Sequence, residues 1–121
     1  MSREEIPPWL REQLARFEQL QRNLQAILTQ KQQIELELSE IEKATTELNK
    51  IGPDDTVYKY VGSILIKVKK EDMLNDLEEK KEIDNTRSKI LAKQETRLRE
   101  SVKELQAKIN EALRSKSPAS T

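Results

Sequence analysis

Apolar residues recur along both halves of the chain in alternating steps of three and four, the repeat of a helix that packs against another helix. In the first half this repeat has twelve positions, nine of them apolar: Leu10, Gln13, Phe17, Leu20, Leu24, Ile27, Lys31, Ile34, Leu38, Ile41, Thr45 and Leu48. In the second half it has another twelve, eight of them apolar: Leu74, Leu77, Lys81, Asp84, Ser88, Leu91, Glu95, Leu98, Val102, Leu105, Ile109 and Ala112. These positions, called the seam below, predict two long helices that form a coiled coil.

The helix breakers and charges along the chain predict where these two helices begin and end. Proline is tolerated in a first helical turn, so the pair Pro7-Pro8 suits a helix start. Gly52 is expected to end the first helix in the left-handed cap conformation, and the acidic pair Glu71-Asp72 favours the start of the second. We predict one domain with helices over 8–51 and 71–114, a hairpin over 56–69, and tails over 1–7 and 115–121.

The middle of the second seam is polar, and its nearest apolar residues lie beside the stripe. Ile83 and Ile90 each stand one position away from it. This arrangement predicts a local shift of register or a loosely wound region in the second helix.

Between the two helices, β-branched and aromatic residues lie on either side of Gly62-Ser63. A two-residue turn with glycine first is typical of a β-hairpin. That turn would pair Val61 with Ile64 and Val57 with Val68, and it makes one face of the hairpin almost wholly apolar.

A lone two-stranded hairpin is at best marginally stable and offers unpaired backbone groups at both edges. The chain has no second β-rich stretch, so the hairpin is expected to pair with strands of other subunits or to pack against its own helices. The predicted oligomerisation surface consists of Val57, Tyr58, Tyr60, Val61, Gly62, Ile64, Leu65, Ile66 and Val68. The alternative is a decorated turn that caps a helical hairpin.

Folding the chain back at the hairpin would bring both helix ends together, where the apolar stripe is wider than a seam. Two helices cover only a narrow seam, and exposed apolar surface usually marks a partner site. This region, called the tip patch, consists of Ile6, Trp9, Leu10, Leu14, Phe17, Leu105, Ile109 and Leu113. The alternative is that these residues only close the end of the coiled coil.

Composition excludes several classes of function. Hydrophobic residues make up 35% and charged residues 36% of the chain, which is typical of long helices. The formal net charge is zero, so no overall field favours nucleic acid or an anionic membrane. Without cysteine or histidine, thiolate and imidazole metal sites and histidine-dependent nucleophiles are excluded. We therefore expect no enzymatic activity, metal or cofactor. We also expect a cytoplasmic protein, since no apolar run is long enough for a membrane span or a signal peptide.

Three stretches together resemble the β-type subunits of the prefoldin family, with a leaning towards its archaeal members. They are the glutamine-rich segment Phe17–Leu38, the hairpin sequence VYKYVGSILIKV over Val57–Val68, and the long charged second helix. A single hairpin between the helices points to the β type over the α type. The implied fold is mostly α: a long antiparallel two-helix coiled coil with a central β-hairpin that joins an intersubunit β-barrel.

The resemblance also implies partners and an activity. Two α-type and four β-type prefoldin subunits would join their hairpins into a barrel body that carries coiled-coil arms. The arm tips would hold unfolded client proteins without ATP and deliver them to a group II chaperonin.

Two other functions compete with this interpretation. A coiled-coil RNA-binding arm would rest on the basic cluster of Lys59, Lys67, Lys69 and Lys70, but the zero net charge argues against a nucleic-acid partner. A passive scaffold or tether would need no exposed apolar tip.

Overall fold

The computed structural model describes residues 6–115. The helix α1 spans Pro8–Asn49, the strands β1 and β2 span Val57–Val61 and Ile64–Val68, and the helix α2 spans Lys70–Ser115. Two long helices with a β-hairpin between them therefore confirm the predicted fold class. The tails predicted over 1–7 and 115–121 lie largely outside the described residues, although Ser115 belongs to α2.

The contacts of the chain divide it into two compact units. The terminal unit combines Met1–Gln30 with Leu91–Thr121, and the hairpin unit is Lys31–Ile90. In each unit, segments of α1 and α2 bury seam residues. Even the best buried of the described side chains, Ile34 and Asp84, retain 3% of their surface exposed, so neither unit has a deep core.

The predicted seam is the buried face of both helices. All twelve seam positions of α1 are buried or half-buried, and so are eleven of the twelve in α2, Lys81 being the exception. The alternating steps of three and four therefore located the packing face of each helix correctly, including every polar member except Lys81.

The register shift predicted for the middle of α2 is wrong. Ile83 and Ile90 stay exposed, whereas Asp84 at the seam position is buried to 3% exposure. Leu77 and Leu91, one heptad before and after Asp84, are both buried and hold the register. Keeping this register buries the Asp84 carboxylate, whose Oδ2 atom has no hydrogen-bond partner within the described residues. Such a buried polar atom is unfavourable for folding.

The predicted left-handed cap at Gly52 is also wrong. α1 ends at Asn49, and the Ile51 N–H then donates to the Leu48 carbonyl at 3.3 Å, which tightens the last turn. The Gly52 N–H donates to the Asp55 carboxylate at 2.6 Å, and the Asp55 N–H returns a bond to the Gly52 carbonyl at 3.2 Å. The Gly52 N–H, which would donate back to a carbonyl of the last helical turn in a left-handed cap, is bonded to the Asp55 side chain instead.

The hairpin has the register predicted from its turn. The strands run antiparallel, with Val57 paired to Val68 and Val61 to Ile64. Gly62, at the first turn position, has a φ of 62°. This is the left-handed value that a two-residue turn with glycine first requires.

One end of the hairpin packs against the helices of its own chain. Val57 is buried in one cluster with seam residues of both helices, and Val68 packs against that cluster from β2. The buried members of the cluster are Ile41, Leu48, Val57 and Leu77. The hairpin therefore packs against its own helices, and its apolar contacts there come from Val57 and Val68.

Two lysines add polar bonds at this attachment. The Lys59 Nζ atom of β1 donates to Oδ2 of Asp76 on α2 at 2.8 Å, forming an ion pair. The Lys70 Nζ atom at the start of α2 donates to the Ile51 carbonyl just after α1, also at 2.8 Å. These bonds tie β1 to α2 and the beginning of α2 to the end of α1.

Replacing Gly62 by alanine should destabilise the hairpin by about 1–3 kcal/mol, since alanine rarely adopts this backbone conformation. A Cβ atom at Gly62 would have no heavy atom within 4 Å, so the cost is conformational and not steric. Hydrogen exchange should become faster at the amides of β1 and β2 and remain unchanged in the helices. The control is Ser63→Ala, and unchanged hairpin protection in Gly62→Ala would contradict the turn geometry.

The hydrogen bond from Lys59, followed by its charge, lowers the pKa of Asp76 from the ordinary 3.8. A lowered pKa in the folded state means that this bond stabilises the fold above pH 3.8 and that its contribution is lost as the pH falls through the folded value. Carboxyl-carbon NMR should show Asp76 titrating below 3.8, and Lys59→Met should move the pKa upwards. Lys67→Met, on the opposite face of the hairpin, is the matched control. An Asp76 pKa that Lys59→Met leaves unchanged would contradict the ion pair.

Candidate interaction surfaces

The outer part of the hairpin is an exposed apolar surface. Six of its large apolar side chains keep between 42% and 73% of their surface exposed: Tyr58, Tyr60, Val61, Ile64, Leu65 and Ile66. A two-stranded sheet cannot bury these residues by itself. We call these six residues the hairpin surface.

Both faces of the hairpin contribute to this surface. The register places Tyr60 opposite Leu65 on one face and Val61 opposite Ile64 on the other. Within the described residues the sheet has only β1 and β2, so each strand also has an edge without a neighbouring strand. Open edges and two apolar faces together suit strand addition by another polypeptide.

The structure does not bring every residue predicted for oligomerisation into the exposed surface. Val57 is buried against the helices and Val68 is half-buried beside it. Gly62 forms the turn. Val57 and Val68 therefore attach the hairpin to its own chain.

The tip patch divides into a buried and an exposed part. Leu10, Leu105 and Ile109 form a buried cluster, against which Ile6 and Phe17 pack. These five residues therefore contribute to the packing between the helices.

The other three members of the tip patch face outwards. Trp9, Leu14 and Leu113 keep between 37% and 49% of their surface exposed. They are the part of the predicted client site that a partner could contact. We call these three residues the exposed tip.

The basic cluster offers fewer exposed lysines to a nucleic acid than the sequence indicates. Lys59 is held by Asp76, and Lys70 donates to the Ile51 carbonyl. Of the four, only Lys67 and Lys69 are exposed and without a partner of this kind among residues 6–115. Two exposed lysines are a poor match for a phosphate backbone, which binding proteins contact with many cations.

Sequence reasoning missed the ion pair of Lys59. A lysine in the middle of an otherwise apolar strand face was the available signal, because a buried or half-buried charge is normally paired. The sequence alone did not show that Asp76 of α2 lies opposite it.

Two searches of the described residues concern other kinds of site. Between residues 6 and 115, no three acidic or otherwise metal-ligating side chains are grouped so as to hold a metal ion. No helix in the same range is long and apolar enough to cross a membrane.

Comparisons with known proteins agree along nearly the whole chain. Residues 11–116 match the family model described as prefoldin subunit. A prefoldin subunit beta of Archaeoglobus fulgidus is 45% identical over 109 residues, which cover 90% of this chain and 94% of that protein. A prefoldin subunit beta of Pyrobaculum islandicum is likewise 45% identical over 109 residues, covering 90% of this chain and 87% of the relative.

Solved structures give the same result. The crystal structure of the prefoldin beta subunit from Thermococcus strain KS-1 superimposes with a TM-score of 0.79 at 40% identity, covering 91% of this chain and 96% of that one. The prefoldin beta2 subunit of the same strain, at 23% identity and a TM-score of 0.68, shares the fold. The chain therefore belongs to the prefoldin subunit family, whose members are non-enzymatic chaperone subunits of hetero-oligomeric complexes, and it is not an enzyme.

Proposed function

We propose that this chain is a β-type subunit that captures unfolded polypeptides without ATP and delivers them to a group II chaperonin in the cytoplasm. The observation that supports client capture is the exposed tip of Trp9, Leu14 and Leu113. An unfolded chain exposes apolar side chains of every kind. An exposed apolar surface without a shaped pocket can contact many of them.

The assembly that we propose joins two α-type and four β-type subunits through their hairpins into a β-barrel body. The hairpin surface supports this, since strands from neighbouring subunits would pair with its open edges and cover its two apolar faces. Burial of six large apolar side chains would stabilise the assembly. The helices would then extend from the body as arms.

Capture by several tips at once would compensate for the small size of each. Three partly exposed side chains provide only a weak contact, but several tips on one flexible client add through effective concentration. Binding the unfolded state lowers the concentration of free unfolded chain, which opposes aggregation. A weak individual contact also allows the client to leave one tip at a time during transfer to the chaperonin.

Replacing Ile64 and Ile66 by aspartate should prevent assembly and leave the helical content largely intact. Both side chains are exposed in the single chain, so the charges disturb only a surface that another strand covers. Native mass spectrometry with the α-type partner should show free subunits, and circular dichroism should show unchanged helicity. Leu36→Asp, at an exposed leucine of α1, is the control. An intact oligomer of the Ile64→Asp/Ile66→Asp variant would refute association through the hairpin.

Replacing Trp9, Leu14 and Leu113 by glutamine should weaken client capture by at least about fivefold without disassembly, since three apolar contacts per arm are lost. Glutamine is a good helix former and preserves α1 and α2. The measurement is the concentration of complex that halves the aggregation of a chemically denatured protein. Leu36→Gln is the control, and unchanged capture would place the client site elsewhere. If the unaltered complex does not suppress aggregation, the scaffold or tether function is supported instead.

A further inference from the structure

A second amphipathic stripe runs along α2 beside its seam. Lys80, Ile83, Arg87 and Ile90 follow one another in steps of three, four and three, the spacing of residues that share one helix face. The two isoleucines are 58% and 51% exposed. We call these four residues the basic stripe, and all of them belong to the hairpin unit.

The position of the isoleucines is unfavourable for an isolated subunit. At this level α2 buries Asp84 and half-buries Ser88 while it leaves Ile83 and Ile90 in solvent. Burying an unpaired carboxylate costs free energy, and a large apolar side chain left in water does not contribute the stabilising free energy of burial. The apolar pair is thus directed away from the packing between α1 and α2.

Cations outnumber anions around this pair. Between residues 80 and 90 the exposed charged side chains are four cations and a single anion, Glu82. The cations are Lys80, Lys81, Arg87 and Lys89. Arg87 lies between the two isoleucines and has no ion-pair partner among the described residues. The surface has positive charge available for a partner.

We propose that the basic stripe is the docking site of an acidic amphipathic helix in a partner protein. Ile83 and Ile90 are one heptad apart, about 10.5 Å along the helix axis, so a partner helix with apolar residues at the same repeat meets both. Carboxylates beside those apolar residues would pair with Lys80 and Arg87. A third helix would thereby pack on α2 and bury the two isoleucines. This site lies in a different unit from the exposed tip and does not depend on client capture.

Two synthetic helical peptides test the proposal by fluorescence anisotropy against the assembled complex. Both have roughly three heptads with leucine at the apolar positions. One carries glutamate and the other lysine at the flanking positions. The acidic peptide should bind the unaltered complex at least about tenfold more tightly than the basic one, and its affinity should fall as salt rises.

Variants of the chain locate the binding. Ile83→Gln with Ile90→Gln, and separately Arg87→Glu, should each weaken the acidic peptide at least about tenfold. Leu36→Gln, at the exposed leucine of α1, should leave the affinity unchanged, as should the glutamine variant of the exposed tip. Helical content by circular dichroism should be the same in all variants, since every replaced side chain is exposed.

The proposal is overturned by any of four results. The acidic peptide does not bind, the basic peptide binds as tightly, Leu36→Gln weakens binding as much as the isoleucine variant does, or the tip variant abolishes it. The last result would mean that the peptide is held as an ordinary client. Loss of client capture in the tip variant with retained peptide binding supports two separate sites.

Discussion

Within residues 6–115 the two helices bury apolar side chains mainly along a narrow seam, and the rest of the structure depends on this constraint. Two helices side by side enclose no volume, so even Ile34 remains slightly exposed. Most large apolar residues away from this seam therefore lie on the outside. The hairpin surface, the exposed tip and the basic stripe are three places where such residues remain exposed. A shallow core and apolar outer surfaces follow from the same geometry.

The seam and the hairpin register could be predicted because both depend on strict local periods. Residues three and four apart share a helix face whatever the partner is, so even Lys31 and Thr45 were placed correctly among the less exposed positions. A two-residue turn with Gly62 first leaves one register for the strands, and the predicted pairing of Val57 with Val68 is the observed one. In both cases the residues of a short segment are enough to predict the arrangement.

Features that depend on distant or competing contacts were not predicted. The Asp55 carboxylate takes the Gly52 N–H, so the residues after α1 need no left-handed glycine. Asp84 stays in the seam because its neighbours in the heptad repeat outweigh one polar residue. The division of the tip patch depends on which side chains of α2 reach α1. Composition identifies an apolar end, but only packing separates Leu10, which is buried, from Leu14, which is exposed.

The bond from Lys70 to the Ile51 carbonyl has a consequence for how such subunits can diversify. It joins Lys70, the first residue of α2, to Ile51, two residues after α1 ends, at the place where the chain leaves one helix and returns to the other. The segment between these two residues therefore leaves the helices and rejoins them at one place. The bond that holds this place together does not involve the outer residues of the hairpin. Under the proposed assembly, substitutions among the exposed residues of the hairpin surface would alter which subunits pair and leave this bond in place. Under the same proposal, the outer hairpin can diversify while Val57, Val68 and Lys70 keep its base attached to the helices.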